Sequence, residues 1–140
     1  MKIATRIALL LLALMMTLCF VACADVEKTG AWETATYDRD TELGKGAKTV
    51  TVKVVAEEQE LTFTIHTDKE NLGDALLEHK LIDGEQGAYG LYVKAVNGIV
   101  ADYDVDQTWW KLSKAGVDSL TGVDGTAIAD GEQYELTRTK

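Results

Sequence analysis

The stretch from Thr49 to His66 alternates twice over. Val50, Val52 and Val54 are separated by Thr51 and Lys53, and Leu61, Phe63 and Ile65 by Thr62 and Thr64. A period of two places every apolar side chain on one face of a strand and every polar one on the other. Glu57-Glu58-Gln59 breaks the pattern between the runs. The two runs therefore predict a hairpin with one buried face.

After His66 the period changes. Thr67-Asp68-Lys69-Glu70 has the form of a capping box, and Leu72, Ala75, Leu76 and His79 recur at helical spacing. This predicts a helix over about Lys69–Lys80. Gly73 lies inside it at a cost of about 1 kcal/mol, which a close approach of helix to sheet would explain. Asp83-Gly84-Glu85-Gln86-Gly87 reads as a loop and Tyr89 to Val96 as a strand. Asn97-Gly98 is a strong hairpin signal, because both residues tolerate the positive φ of a type I′ turn. Ile99 to Tyr103 returns from that turn. Thr108–Ser113 and Gln133–Arg138 complete the set, with turns at Asp124-Gly125 and Asp130-Gly131. The chain contains no proline, so nothing obvious interrupts these strands. Strand, strand, helix, then several strands is the order of an α+β domain: a β-grasp-like mixed sheet with one helix packed on one face.

The N-terminus has a different character. Lys2 and Arg6 precede an apolar run from Ile7 to Leu18, with Phe20-Val21-Ala22-Cys23 beyond it. This is the form of a signal peptide ending in a lipobox-like sequence, with Cys23 as the lipidated residue. The competing reading is an uncleaved anchor, since Ile7 to Ala24 is only just long enough to span a bilayer. Either way the domain lies on the extracytoplasmic face of a membrane. The expected division is a signal peptide over 1–22, a lipidated N-terminus and flexible tether over 23–48, and a domain over 49–140. Trp32 and Tyr37 are unusual in a tether: they are either incidental or dock onto the domain as an extra strand.

Charge and cysteine content narrow the function. Of 140 residues, 14 are Lys or Arg and 23 are Asp or Glu; without Lys2 and Arg6 the balance becomes 12 against 23, net -11. No basic stripe exists, which argues against a nucleic-acid partner. Cys19 lies in the expected signal and Cys23 at the lipid site. No cysteine is left for a disulfide, a metal cluster or a thiol nucleophile.

Catalytic patterns are weak. Asp102, Asp104 and Asp106 alternate like the opening of a calcium loop, but an EF-hand needs Gly at position six and Glu at twelve, where Gln107 and Ser113 stand. Alternating aspartates then read as a solvated side, and Asp38, Asp40 and Glu42 form a similar set. His66 and His79 lack the spacing of metal ligands. Ser113 and Ser119 lack a nucleophile elbow. The expectation is a non-catalytic protein without metal or cofactor. The aromatic pair Trp109-Trp110 carries more. Alternation puts Trp110 inward with Leu112 and Trp109 outward with Lys111. An outward tryptophan either packs on a neighbouring tyrosine or offers a rigid stacking surface to a ligand.

Several of these residues resemble a known family. Tyr89-Gly90-Leu91-Tyr92-Val93-Lys94-Ala95-Val96-Asn97-Gly98, then Thr108-Trp109-Trp110-Lys111-Leu112, then Thr121-Gly122-Val123 and the Asp130-Gly131 turn are similar to the C-terminal domain shared by transcobalamin and intrinsic factor. Asn71-Leu72-Gly73-Asp74-Ala75-Leu76-Leu77 is similar to that family's helix. Many bacterial surface lipoproteins carry such a domain, catalogued as a domain of unknown function. The resemblance spans roughly Thr49 to Lys140. It implies a β-grasp-like fold and a binding role, with cobalamin or another corrinoid as the candidate ligand. With the outward Trp109, it points to Trp110, Leu120, Gly122 and Val123 as ligand-binding residues. In the vitamin carriers a large helical domain supplies the other half of the site, and this chain is too short to contain one. The alternative is an interaction module that pairs with another cell-envelope protein, for example by adding a strand to a sheet edge.

Overall fold

The computed structural model describes residues 25–140. The expected signal peptide, its competing membrane anchor and Cys23 lie outside the described residues. Among the described residues no helix is long and apolar enough to cross a membrane. The body is mixed α+β: mostly sheet, with one main helix.

The alternating hairpin forms as the sequence predicts. β2 (Lys48–Ala56) pairs antiparallel with β3 (Gln59–Thr67), with Val52 opposite Phe63. β9 (Gln133–Thr139) adds parallel to β2, and β7 (Trp109–Lys114) antiparallel to β9. β1 (Thr41–Gly44) lies parallel to β3, and the two-residue β8 (Val117–Asp118) pairs with the end of β7. The result is a six-stranded mixed sheet, ordered β1-β3-β2-β9-β7-β8. Its inner face carries Val50, Val52, Val54, Leu61, Phe63, Ile65, Trp110, Leu112, Tyr134 and Leu136, all buried. Leu72, Ala75 and Leu76 of the helix α1 (Leu72–Glu78) join them in one core.

A second sheet of three strands, β4 (Ile82–Gly87), β5 (Gly90–Val96) and β6 (Ile99–Val100), stands beside the first. The β5–β6 turn is Asn97-Gly98, with φ of 52° and 77°, as a type I′ turn requires. β6 is shorter than the expected return strand, because Asp102 caps a one-turn helix, α2 (Tyr103–Asp106).

Three expectations fail, each because a distant segment intervenes. The helix begins at Leu72, not Lys69. Its cap is Asn71, whose Oδ1 accepts from Asp74 N–H at 2.8 Å, while the Thr67 hydroxyl accepts from Lys69 N–H and donates to Glu78 Oε2 at 3.3 Å. Residues 70–72 are held extended by residues 126–128: Ile128 N–H donates to Glu70 C=O and Leu72 N–H to Thr126 C=O. Gly73 does face a close approach, but from a 3₁₀ turn (Val123–Gly125) rather than from the sheet; a Cβ there would lie 3.0 Å from Asp124 Cα. Residues 83–87 are not a loop but most of β4, paired along β5.

Nor are residues 25–48 a flexible spacer; they pack as part of the body. Trp32, in a 3₁₀ turn (Gly30–Thr34), is fully buried, and its Nε1–H donates to Ala56 C=O at 2.9 Å. Tyr37 meets Phe63 edge-on at 5.6 Å between centroids. Asn97 clamps the segment: its Oδ1 accepts from Tyr37 N–H at 2.9 Å, and its Nδ2 donates to Tyr37 C=O at 3.0 Å. Of the two readings open for Trp32 and Tyr37, docking is the one observed, though not as a strand: Trp32 lies in the 3₁₀ turn and Tyr37 in the connection after it, and the added strand β1 begins only at Thr41.

One ionised group braces the start of β9. Glu132 accepts from Lys114 Nζ at 2.7 Å, from Ala129 N–H at 3.0 Å and from the Tyr134 hydroxyl. Lys114 first, then Tyr134 and Ala129, hold its carboxyl down at about 2 against an ordinary value of 4.5. A carboxyl depressed on folding stabilises the native state above its unfolded pKa and loses that contribution as pH falls through its folded pKa. Full linkage would be about 3 kcal/mol, and partial solvation brings it to on the order of 1–2 kcal/mol. Glu132→Gln should therefore lower stability by about that much in urea titrations at pH 7. The two proteins should converge between pH 4.5 and about 2. A gap that persists at the acid end would assign the effect to packing instead.

Candidate functional site

β5 and β7 belong to different sheets and face each other without pairing. Between them lies a cavity of about 320 Å³. β5 contributes Leu91, Tyr92 and Val93 to its wall, β7 contributes Trp109 to Leu112, and the loop after β8 adds Gly122 and Val123. A second hollow, under Tyr89 and Tyr92, adjoins it and shares Leu91 and Gly122.

The strand alternation acts here as expected. Trp110 is 8% exposed and Trp109 38% exposed, so the pair splits into an inward and an outward ring, yet both reach the cavity. Trp109 lies opposite Thr139 on β9; among the described residues it makes no aromatic pair with a tyrosine. Among the described residues the Trp110 indole N–H is buried without a hydrogen-bond partner, an arrangement that stores free energy because such groups normally find an acceptor.

The loop is placed by named contacts. Ser119 N–H donates to Leu112 C=O at 2.8 Å. Thr126 Oγ1 donates to Gly122 C=O at 2.8 Å. Asp124 reaches across to β5, where its carboxylate accepts from Leu91 N–H at 2.9 Å. Any side chain at Gly90 would strike this carboxylate, at 2.6 Å from a Cβ. One aspartate thus ties the loop to the β4–β5 hairpin. At its edge Lys111 Nζ lies 3.4 Å from Asp118 Oδ1.

Four of the five residues read as ligand-binding, Trp109, Trp110, Gly122 and Val123, line this one cavity. Leu120 does not: it projects fully into solvent beside the mouth. Sequence reasoning missed Leu91, Val93 and Asp124. The first two look like ordinary core residues of a strand, and Asp124 like an ordinary turn residue.

The remaining candidates have other work. His66 Nε2 contacts Glu42 Oε1 and its Nδ1 lies 3.0 Å from Thr49 Oγ1, joining β1 to the sheet. His79 sits just past the end of α1. Neither histidine lines the cleft. The aspartates are not simply solvated: Asp102 caps α2, and Asp106 accepts from Thr108 and from Arg138 Nη2 at 2.9 Å. Asp40 accepts from Thr62 N–H at 2.8 Å. Among the described residues no three His, Cys, Asp or Glu side chains gather as a metal site.

No family model and no curated protein matches the chain. Solved structures do match. A candidate metal-binding protein from Ruminococcus gnavus ATCC 29149, known from a crystal structure, is 38% identical, and the match covers 67% of this chain and 98% of that one at a TM-score of 0.64. Haptocorrin in complex with Cbi is 18% identical at a TM-score of 0.55 over 70% of this chain. This chain spans only 26% of haptocorrin, and the likeness is one of fold. Sharing 38% of its residues over nearly the whole Ruminococcus gnavus chain, this protein belongs to that protein's family.

Proposed function

We propose that the protein is a lipid-anchored binding protein of the extracytoplasmic membrane face, held there through Cys23, which captures its ligand in the β5–β7 cleft without chemical change. The observation that carries this reading is the convergence of Trp109, Trp110, Gly122 and Val123 on one cavity. A cleft of this kind, apolar-walled with few polar groups, is the usual form of a ligand site. The parallel pairing of β2 with β9, at the centre of a mixed sheet in which β1 also runs parallel to β3, fits a β-grasp sheet. It also fits the transcobalamin-like domain that the sequence resembles.

A corrinoid is the first candidate ligand. The cavity, at about 320 Å³, lies near the lower limit of about 300 Å³ for small-molecule sites. A corrinoid would lie across the mouth against the Trp109 ring, with one face left for a partner to cover. Half a site forgoes much of the burial that tight binding needs, so micromolar affinity is the expectation.

The test is a thermal-shift titration of the purified full-length chain in detergent with cobalamin, since a native-state binder raises apparent stability. A rising midpoint that Trp109→Ala abolishes supports the reading. No shift at millimolar cobalamin, together with unquenched tryptophan fluorescence, sinks the corrinoid. Cys23→Ala should release the chain from the membrane fraction while leaving the titration unchanged.

A further inference from the structure

The chain enters the folded body at one end of the large sheet. Glu27 N–H donates to Gln59 Oε1 at 2.7 Å, and Gln59 Nε2 donates back to Glu27 C=O at 3.0 Å. Gln59 opens β3, opposite Ala56 at the close of β2. β9 runs parallel to β2, with Thr137 beside Val55, so its last residues reach the same end. β7 runs against β9 and begins there, with Trp109 opposite Thr139. The β2–β3 turn, the close of β9 and the start of β7 therefore share the end at which the chain arrives.

Exposed apolar side chains gather at this end. Val100, Tyr103, Val105 and Trp109 lie on α2 or close beside it in the chain, and all four are exposed, Val105 at 80%. Arg138, near the close of β9, holds them in place: its Nε donates to Val100 C=O and its Nη2 to Asp106 Oδ2, each at 2.9 Å. A single exposed valine or tyrosine is ordinary on a protein surface, but a group of them marks a contact surface for a protein or a membrane.

The chain entry decides between the two. Gln59 on β3 and Arg138 on β9 stand two strands apart, about 10 Å across the sheet at about 4.8 Å per strand. Val26 N–H is already bonded to Asp38 C=O at 2.8 Å. Between Cys23 and Val26 the chain spans at most about 11 Å fully extended. A lipid on Cys23 thus keeps this end of the sheet beside the bilayer, with the apolar group next to the point of attachment.

We propose that the end of the sheet bearing Val100, Tyr103, Val105 and Trp109 rests on the headgroup layer of the bilayer. This depends on the reading of Cys23 as the lipidated residue. Tyrosine and tryptophan favour that layer, where an apolar ring and a polar tip are both satisfied. Charge selects the lipid. Glu57, Glu58 and Asp104 are exposed at the same end, so the surface suits zwitterionic headgroups and is repelled by anionic ones. The anchor supplies the hold and the patch the orientation. The far end of the sheet, where Ala115 N–H meets Gln133 C=O and Gly131 N–H meets Thr49 C=O, points away from the membrane.

The test is paramagnetic broadening of amide resonances. The isotope-labelled chain, expressed with its own N-terminus and extracted from membranes, is placed in phosphatidylcholine nanodiscs in which a few lipids carry a gadolinium chelate on the headgroup. Amides of Glu58, Val100, Tyr103 and Val105 should lose severalfold more intensity than those of Ala115, Gly116 and Gly131. The double substitution Tyr103→Ser with Val105→Ser, at exposed positions outside the cleft, should even out the two ends while the chain stays in the disc. Equal broadening of both ends in the unaltered chain, or stronger broadening at Gly116 and Gly131, overturns the orientation and leaves the anchor standing. A difference that survives the double substitution assigns the orientation to the anchor alone and overturns the patch. A difference that grows when half the phosphatidylcholine is replaced by phosphatidylglycerol overturns the choice of lipid. A chain that does not join the discs removes the lipidation of Cys23 and the patch with it.

Discussion

Trp32→Ala should cost about 3–5 kcal/mol, the range for removing a large aromatic from a packed core. Trp32 is fully buried, and its indole N–H satisfies Ala56 C=O at the end of β2. The substitution opens a cavity and strands that carbonyl together. Against a total stability of about 5–15 kcal/mol, this is a large fraction. The melting midpoint should drop by on the order of 10–20 °C. A flexible tether predicts the opposite, since an exposed residue in a spacer changes stability by no more than about 0.5 kcal/mol. Calorimetry of the two proteins decides between them. A midpoint shift below about 2 °C would show that residues 25–48 do not belong to the folded unit.

Asn97→Ala should cost on the order of 2–4 kcal/mol, from two separate sources. The side chain is 1% exposed and makes both a donor and an acceptor bond to Tyr37. Its loss leaves both backbone groups of Tyr37 unpaired, worth about 1–3 kcal/mol. The residue also sits at φ 52°, where alanine costs about 1–2 kcal/mol and glycine does not. Asn97→Gly therefore separates the terms, keeping the turn and losing only the clamp. Denaturant titration should place it between wild type and Asn97→Ala. If glycine matches wild type, the bonds to Tyr37 contribute nothing and the strain of the turn is the whole effect. The neighbouring Gly98 admits no such exchange, because a Cβ there would lie 2.4 Å from Thr34 C=O.

Local pattern accounts for the elements whose neighbours lie close in sequence. β2 and β3 arise from alternation, the β5–β6 turn from Asn97-Gly98, and the inward and outward tryptophans from the two-residue period of β7. What local pattern misses depends on distant contacts. β4 reads as a loop because Gly84 and Gly87 lower strand propensity. Gly84 is there because its Cα passes so close to Tyr92 that a Cβ would lie 2.1 Å from the Tyr92 carbonyl. The helix loses its expected first turn to backbone bonds from residues 126 and 128. The docking of Trp32 is invisible in a segment without period, although a tryptophan there is the one local sign of it. The site divides in the same way. Trp109, Trp110, Gly122 and Val123 are legible from the tryptophan pair and the Thr121–Val123 turn. The facing wall, Leu91 and Val93, is set by where a second sheet stands, and Asp124 by the distance it spans to Leu91.

Whether the cleft between β5 and β7 is the ligand site is tested most directly by chemical-shift mapping. The isotope-labelled chain is titrated with cobalamin. Resonances of Leu91, Val93, Trp109, Trp110 and Gly122 should move together, with one saturation curve for the ligand that binds, while those of Thr51 and Thr62 on the opposite face of the sheet stay still. Movement centred on the Thr51–Thr62 face, or saturable binding that leaves Trp109 and Trp110 unmoved, would contradict the assignment of the site.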